Sequence, residues 1–328
     1  MTTAIVAGAG GFIGHHLVRY LKTEGYRVRG VDINEPGYEA TDADEFVVAD
    51  LREYDNCLRA TAGVDEVYQL AADMGGIGYI TANHAEVARN NVLINAHMLE
   101  AASVNGVSRH FFSSSACIYP MYKQHEADVT PLREEDAYPA EPEEGYGWEK
   151  LYAEKLCQYY TDEGRLETRV ARFHNIYGPL GTYEGGREKA PAAISRKVAL
   201  AADGDNIEIW GDGQQTRSFT YVDDCVEGIV RLMRSEHRQP LNLGTDRLVT
   251  IDGLVDLVSA AAGKTLVKVH DTSKPQGVRG RNSDNTRLRE VLEWEPQTTL
   301  EDGLASTYSW IHDELAVAGR LGTTVEVA

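Results

Sequence analysis

Val6-Ala7-Gly8-Ala9-Gly10-Gly11-Phe12-Ile13-Gly14-His15 is the passage on which the fold turns. The apolar run at residues 3–7 reads as a short strand, and an amphipathic stretch carrying Phe12, Leu17 and Leu21 continues as a helix that Gly25 stops. Between them Gly8, Gly11 and Gly14 recur at every third position. Glycine in a strand-to-helix turn lets the backbone turn tightly, approach a pyrophosphate and pack the helix on the sheet, with the phosphate at the helix N-terminus. Asp32, at the end of the next apolar run, adds a carboxylate that can accept both ribose hydroxyls of NAD and would repel a 2′-phosphate. Spacing and acid together predict a dinucleotide site for NAD. Its contacts are expected from Gly8, Gly11, Phe12, Ile13, Gly14 and Asp32, with Asp50 and Leu51 after the third strand and Ala71 after the fourth.

Outward from this loop the chain alternates strand and helix. Strands are predicted at residues 27–33, 45–51, 65–71, 110–115 and 168–173. Helices lie between most of them, among them 85–104, which ends at Asn105-Gly106, and 146–160. Such alternation predicts an α/β fold, a doubly wound parallel sheet of the Rossmann type covered by helices on both faces. From about residue 174 the pattern loosens. Gly, Pro and charged residues dominate 177–191, and a second loop-rich stretch spans 272–286. These segments read as parts of a smaller lobe that closes over a ligand, while 218–233 and 241–244 return to the first domain. The expected division is 1–173 with 218–247 for the nucleotide-binding domain, and 174–217 with 248–328 for the smaller substrate lobe.

The 328 residues are 42% hydrophobic and 25% charged, the make-up of a folded globular protein. With 32 basic and 51 acidic side chains the net charge is −19, which repels nucleic acid over most of the surface. A small phosphorylated ligand remains compatible, because a few local arginines and helix N-termini can hold it. No apolar run approaches the ~18–20 residues of a membrane span, and the first strand begins too near Met1 for a leader, so the reading is a cytoplasmic protein with no membrane partner. Cys57, Cys117, Cys157 and Cys225 are scattered without a CxxC pair, and His84, His97 and His174 have no carboxylate cluster beside them. Neither a disulfide nor a metal site is expected.

Tyr146 and Lys150 stand four residues apart and share one face of a predicted helix. A phenol of pKa ~10 is a poor base at neutral pH, and a neighbouring ammonium stabilises its phenolate. Ser113-Ser114-Ser115-Ala116-Cys117-Ile118-Tyr119-Pro120 ends the fifth strand, so its hydroxyls lie at the carboxyl edge of the sheet, where open α/β folds bind ligands. With these parts in place the chain resembles the extended short-chain dehydrogenase/reductase family of nucleotide-sugar enzymes, over essentially its full length. The later stretch Gly211-Asp212-Gly213-Gln214-Gln215-Thr216-Arg217-Ser218-Phe219-Thr220-Tyr221-Val222-Asp223-Asp224 matches as well. The resemblance implies a catalytic trio of Ser115, Tyr146 and Lys150, with Arg217 on the diphosphate of the sugar nucleotide.

Dehydratases and decarboxylases of this family carry Glu two residues after the catalytic hydroxyl, where this chain has Cys117. A thiol of modestly depressed pKa can serve as acid or base. Gly185-Gly186-Arg187-Glu188-Lys189-Ala190-Pro191-Ala192-Ala193 offers Lys189 as its partner. These segments, with Ala72-Asp73-Met74-Gly75-Gly76, Arg172-Phe173-His174-Asn175 and Gly277-Val278-Arg279-Gly280-Arg281, resemble the GDP-mannose 3,5-epimerase subfamily. That resemblance implies a GDP-sugar substrate held by Gly75, Gly76, Asn175, Glu188, Lys197, Arg217 and Arg279. It also implies a reaction in which C4 is oxidised with Tyr146 as base, Cys117 and Lys189 exchange protons at C3 or C5, and C4 is reduced again. The products would be GDP-L-galactose, GDP-L-gulose or both. Another nucleotide-sugar 4-epimerase or 5-epimerase of the family, and a non-catalytic dinucleotide sensor, stand as alternatives. Relatives commonly dimerise through two helices, for which 85–104 and 146–160 are the candidates, so a homodimer is expected.

Overall fold

The computed structural model describes residues 1–274 and 276–321. Its central sheet contains β1 (Thr3–Ala7), β2 (Arg27–Asp32), β3 (Glu45–Val48), β4 (Glu66–Gln69), β5 (Arg109–Ser115), β6 (Glu167–Phe173) and a short strand at Leu241–Leu243. Their order across the sheet is Leu241–Leu243, β6, β5, β4, β1, β2, β3, and every neighbouring pair is parallel. The chain therefore winds one way from β1 to β3 and the other way from β4 onward. The reversal lies between β1 and β4, and the crevice it opens at their carboxyl ends is where such sheets take ligands.

The helices in chain order are α1 (Phe12–Thr23), α2 (Tyr54–Thr61), α3 (Ile77–Ala82), α4 (His84–Val104), α5 (Tyr146–Asp162), α6 (Ala190–Leu200), α7 (Val222–Arg234), α8 (Ile251–Ala261), α9 (Thr286–Leu292) and α10 (Leu300–Val317). Side chains of a strand alternate between faces, so a strand buried on both sides is apolar throughout. Thus Val6 and Val28 point with Phe111 to one layer, against Leu17 and Leu21 of α1, Ile229 and Met233 of α7, and Leu288 and Leu292 of α9. Ile5, Val31, Val67 and Phe112 point to the other, against Cys57 of α2, Met98 and Leu99 of α4, and Ala153 and Cys157 of α5. Each fully buried Leu, Ile, Val or Phe contributes roughly 1.5–3 kcal/mol. The second lobe has its own core, in which Ile194 and Val198 of α6, Leu254 and Val258 of α8 and Leu304 of α10 cover Ile207 and Ile209. Those two isoleucines lie on Asn206–Trp210, which pairs in parallel with Val267–Asp271.

Two boundaries differ from expectation. The third strand stops at Val48 and not at residue 51, because the Asp50 carboxylate accepts the Arg52 N–H at 2.9 Å and turns the chain. α9 falls within the segment assigned to the smaller lobe, yet Leu288 and Leu292 pack in the core of the nucleotide-binding domain. A short amphipathic helix shows which face is apolar but not what covers it. Residues 322–328 of the same assignment lie outside the described residues.

Candidate active site

The glycine loop joins β1 to α1 at the crevice. A Cβ on Gly14 would lie 2.0 Å from the Gly8 carbonyl oxygen, so only glycine lets α1 start against the end of β1. Gly11 precedes the first turn, no side chain caps that turn, and no acidic residue lies in it. Its free N–H groups and positive dipole end suit an anion. The Asp32 carboxylate accepts the Gly10 N–H at 3.0 Å and the Asn34 N–H at 3.2 Å, which fixes it at the mouth of the loop. Phe12 and Ile13 open α1, and Ala71 follows β4 across the crevice. Asp50 is held at 2.7 Å by Arg52, with Leu51 buried beside it. This cradle fits the pyrophosphate and ribose of a dinucleotide.

Ser115 is the last residue of β5, and its Oγ accepts the Cys117 N–H at 3.2 Å. Tyr146 begins α5 and is buried. The next residue lets the helix come close: a Cβ on Gly147 would meet the Cys117 carbonyl oxygen at 2.4 Å. Lys150 follows one turn later, fully buried, donating to the Ser113 carbonyl at 2.9 Å, with its ammonium 5.5 Å from the Tyr146 ring centre. Burial raises the Tyr146 pKa well above that of a free phenol, with the Glu149 and Cys117 charges adding to the rise and the Ser115 hydroxyl opposing it. Burial likewise lowers the Lys150 pKa, against the attraction of Glu149. The neighbouring ammonium is expected to depress the phenol; in this arrangement burial dominates and the net direction is upward.

Cys117 lies between opposite charges. Arg281, buried, places Nη1 at 3.4 Å from its Sγ and Nε at 2.6 Å from Gln124 Oε1, and its Nη2 donates to Glu143. Burial and then the Glu143 carboxylate raise the Cys117 pKa, while Arg281 and Ser115 pull it down; the net direction is upward. The modest depression expected for this thiol is therefore corrected, and the reason is desolvation together with the Glu143 carboxylate. Glu143 itself ends below its usual value, because Arg281 more than offsets its burial. Lys189, half-buried just ahead of α6, has its pKa lowered by burial, with Cys117 among the charges that oppose the shift.

The other expected substrate residues separate into two groups. Gly76 donates to the Arg187 carbonyl at 3.0 Å, which brings the 75–76 turn against Glu188. Glu188 Oε2 is buried without a hydrogen-bond partner, and Oε1 lies 3.4 Å from Arg196. Asn175 adopts a left-handed backbone with φ of 47° and donates to the Ser218 carbonyl at 2.9 Å. Arg217 donates to the Thr216 carbonyl at 2.7 Å and has no carboxylate in contact among the described residues. Burial, followed by the repulsion of Arg281, lowers it to about 10. Lys197 and Arg279 turn elsewhere. Lys197 donates to the Glu208 carbonyl at 2.8 Å, and Arg279 pairs with Asp212 at 2.8 Å.

Arg281, Glu143 and Gln124 were not among the expected site residues. Arg281 shares the run Gly277-Val278-Arg279-Gly280-Arg281 with Arg279, the arginine expected at the site. Gly280–Arg281 is a strand, and neighbours on a strand face opposite sides, so the two arginines two positions apart are separated by the bend at its start, not by alternation. The Arg279 N–H bonds the Gln124 carbonyl at 3.0 Å while its side chain leaves for Asp212.

Residues 4–244 match the model of the NAD dependent epimerase/dehydratase family. The chain is 51% identical over 312 residues to GDP-mannose 3,5-epimerase 1 of Oryza sativa subsp. japonica, covering 94% of this chain and 82% of that protein. It is 48% identical over 324 residues to GDP-mannose 3,5-epimerase of Arabidopsis thaliana, covering 98% and 85%. Among solved structures, UDP-glucose 4-epimerase of Thermotoga maritima with UDP-glucose superimposes with a TM-score of 0.86 at 27% identity, covering 96% of this chain and 100% of that one.

Proposed function

The chain belongs to the NAD dependent epimerase/dehydratase family, and from that premise we propose that it epimerises GDP-mannose, inverting C3 and C5 through a 4-keto intermediate. Inversion at both carbons gives GDP-L-galactose, and inversion at C5 alone gives GDP-L-gulose. The observation that carries this reading is a second proton-handling group beside the first: Cys117 packs against the cluster that holds Tyr146, and the first turn of α5 closes onto its carbonyl oxygen. A simple 4-epimerase needs only the tyrosine. The two relatives named as GDP-mannose 3,5-epimerases support the same substrate.

In this reading Tyr146 acts as the phenolate, which the Lys150 ammonium 5.5 Å from its ring centre and the cationic ring of bound NAD would favour against burial, and takes the O4 proton as C4 is oxidised; Ser115 hydrogen-bonds O4, and Lys150 holds the adjoining ribose. NAD, when bound, supplies a cationic ring that accepts the C4 hydride and returns it. The ketone acidifies the hydrogens on C3 and C5. Inverting a carbon then requires removal of a proton from one face and delivery to the other, which calls for two groups. Burial moves Lys189 and Cys117 each toward its neutral form, and a neutral amine and a neutral thiol are a base and an acid. Arg217, half-buried and with no carboxylate in contact among the described residues, brings positive charge suited to a diphosphate.

Incubation with GDP-mannose in D₂O tests the proposal. Deuterium at C3 and C5 with L-galactose product is expected. Label at C5 alone would restrict the enzyme to that carbon, and no label with no new sugar would remove GDP-mannose as substrate. Four unpaired cysteines, three of them buried, support a reducing compartment such as the cytoplasm. A homodimer is supported by the stripe Trp148, Tyr152 and Tyr159 on α5 and by Leu93 and Val104 on α4, all solvent-exposed and at helical spacing.

A further inference from the structure

Lys189 carries half of the second proton-handling pair, yet among the described residues no hydrogen bond or ion pair holds its ammonium. Its place is set by its backbone. On the C-terminal side α6 begins at once. On the N-terminal side the chain is docked two residues earlier, at Arg187. The Arg187 guanidinium lies 3.8 Å from the centre of the Tyr79 ring, 3.3 Å from Asp73 Oδ1 and 3.5 Å from the Met74 carbonyl. The Arg187 carbonyl accepts the Gly76 N–H at 3.0 Å.

The dock is itself rigidly held. Tyr79 donates to Asp73 Oδ1 at 2.9 Å, and Asn90 donates to Asp73 Oδ2 at 3.0 Å. The Asn91 side chain accepts the Asp73 N–H at 2.6 Å and donates to both the Asp73 carbonyl at 3.0 Å and Glu149 at 2.9 Å. Glu149 is bonded again by Asn95 at 3.2 Å and stands next to Lys150 in the chain. One network of hydrogen bonds thus runs from the helix bearing Tyr146 and Lys150 to the loop bearing Lys189.

We propose that Arg187 is a positioning residue, a latch on Asp73 and Tyr79 that registers Lys189 against the substrate carbons while leaving the C4 oxidation to Tyr146 and Lys150. The assignment of proton transfer to Lys189 rests on the function proposed above; the latch itself does not. Half of the Arg187 side chain is exposed, and an ion pair so exposed adds little to stability, so its consequence is one of position. Proton transfer is steep in geometry, and a displacement of about 1 Å can cost on the order of 10²-fold in rate.

Arg187→Met keeps the apolar stem and removes the guanidinium, and Arg187→Lys keeps the charge without the planar stack. Two readouts on the holoenzyme separate the possibilities. Without substrate, acylation of Lys189 by an N-hydroxysuccinimide ester, followed by mass spectrometry against the exposed Lys274 as internal reference, is expected to rise several-fold in Arg187→Met. With GDP-mannose in D₂O, deuterium entry at C3 and C5 is expected to fall by on the order of tenfold or more relative to nicotinamide reduction, with partial recovery in Arg187→Lys. Unchanged Lys189 labelling would overturn the latch. So would exchange and C4 oxidation declining together, or a rise in KM alone, which would make Arg187 a substrate ligand. Should the unaltered enzyme leave GDP-mannose untouched, the functional reading falls and the labelling result still decides on the latch.

Discussion

Cys117 is governed by two opposite charges, Arg281 and Glu143. The guanidinium favours a thiolate, while burial and the Glu143 carboxylate disfavour it. Removing Arg281 would strip Glu143 of its ion-pair partner, and breaking a buried pair in this way costs about 3–5 kcal/mol. Removing the charge of Glu143 acts oppositely on the thiol. Alkylation by iodoacetamide reads this directly, since Cys57, Cys157 and Cys225 are all buried. Glu143→Gln is expected to react faster than the unaltered protein at pH 8 and Arg281→Met more slowly, each unit of pKa change altering the thiolate fraction about tenfold. Both variants moving the same way would show that the two side chains do not act on the thiol as opposed charges. In the sequence the reactive residue types at this site were legible, because Ser115, Cys117, Tyr146 and Lys150 lie in short runs whose spacing on a strand end or helix is fixed. The charge environment was not. Glu143 and Arg281 are 138 positions apart, and only the folded chain brings them together.

At the scale of elements, the parallel sheet was readable from strands such as Thr3–Ala7, a nearly continuous apolar run, although Arg109–Ser115 and Glu167–Phe173 bury His110, Ser114, Arg169 and Arg172 beside their apolar residues. The smaller lobe was less so, because its sheets are built of pieces as short as Thr216–Arg217 and Gly280–Arg281, too brief to carry a period. α5 hid a different feature. Its pattern disclosed Tyr146 and Lys150 on one face, but not that Glu149 turns inward onto Asn91 and Asn95. Burial is the chief reason that Glu149 is raised from 4.5 to about 7, opposed by Lys150 and the two asparagines. The folded protein thus holds this proton more tightly than the unfolded chain does. The resulting stability is complete below the unfolded value near 4.5 and is lost as pH rises through about 7, a change on the order of 3 kcal/mol. Glu149→Gln, which cannot ionise and retains one acceptor oxygen, is expected to gain on the unaltered protein between pH 5 and pH 8 by up to that amount in urea unfolding. A difference that stays constant across this range would mean that Glu149 does not titrate there.

Charge and shape of the whole molecule pull against each other in assembly. A net charge of −19 on each chain makes two copies repel at long range, whereas the aligned stripe of Trp148, Tyr152 and Tyr159 on α5, beside Leu93 and Val104 on α4, offers an apolar contact that salt does not weaken. The two forces differ in reach. Repulsion extends over a Debye length of about 30 Å at 0.01 M salt but only about 8 Å at 0.15 M, while apolar burial acts at contact. If these faces form the homodimer, raising potassium chloride across that range screens the repulsion and leaves the attraction, so the dimer dissociation constant should fall several-fold by sedimentation velocity. Tyr152→Glu, placed at the centre of the stripe, should yield monomer at both salt concentrations without loss of helical content. A dissociation constant that rises with salt would instead point to an interface held by ion pairs, and the exposed aromatic residues of α5 would then need another explanation.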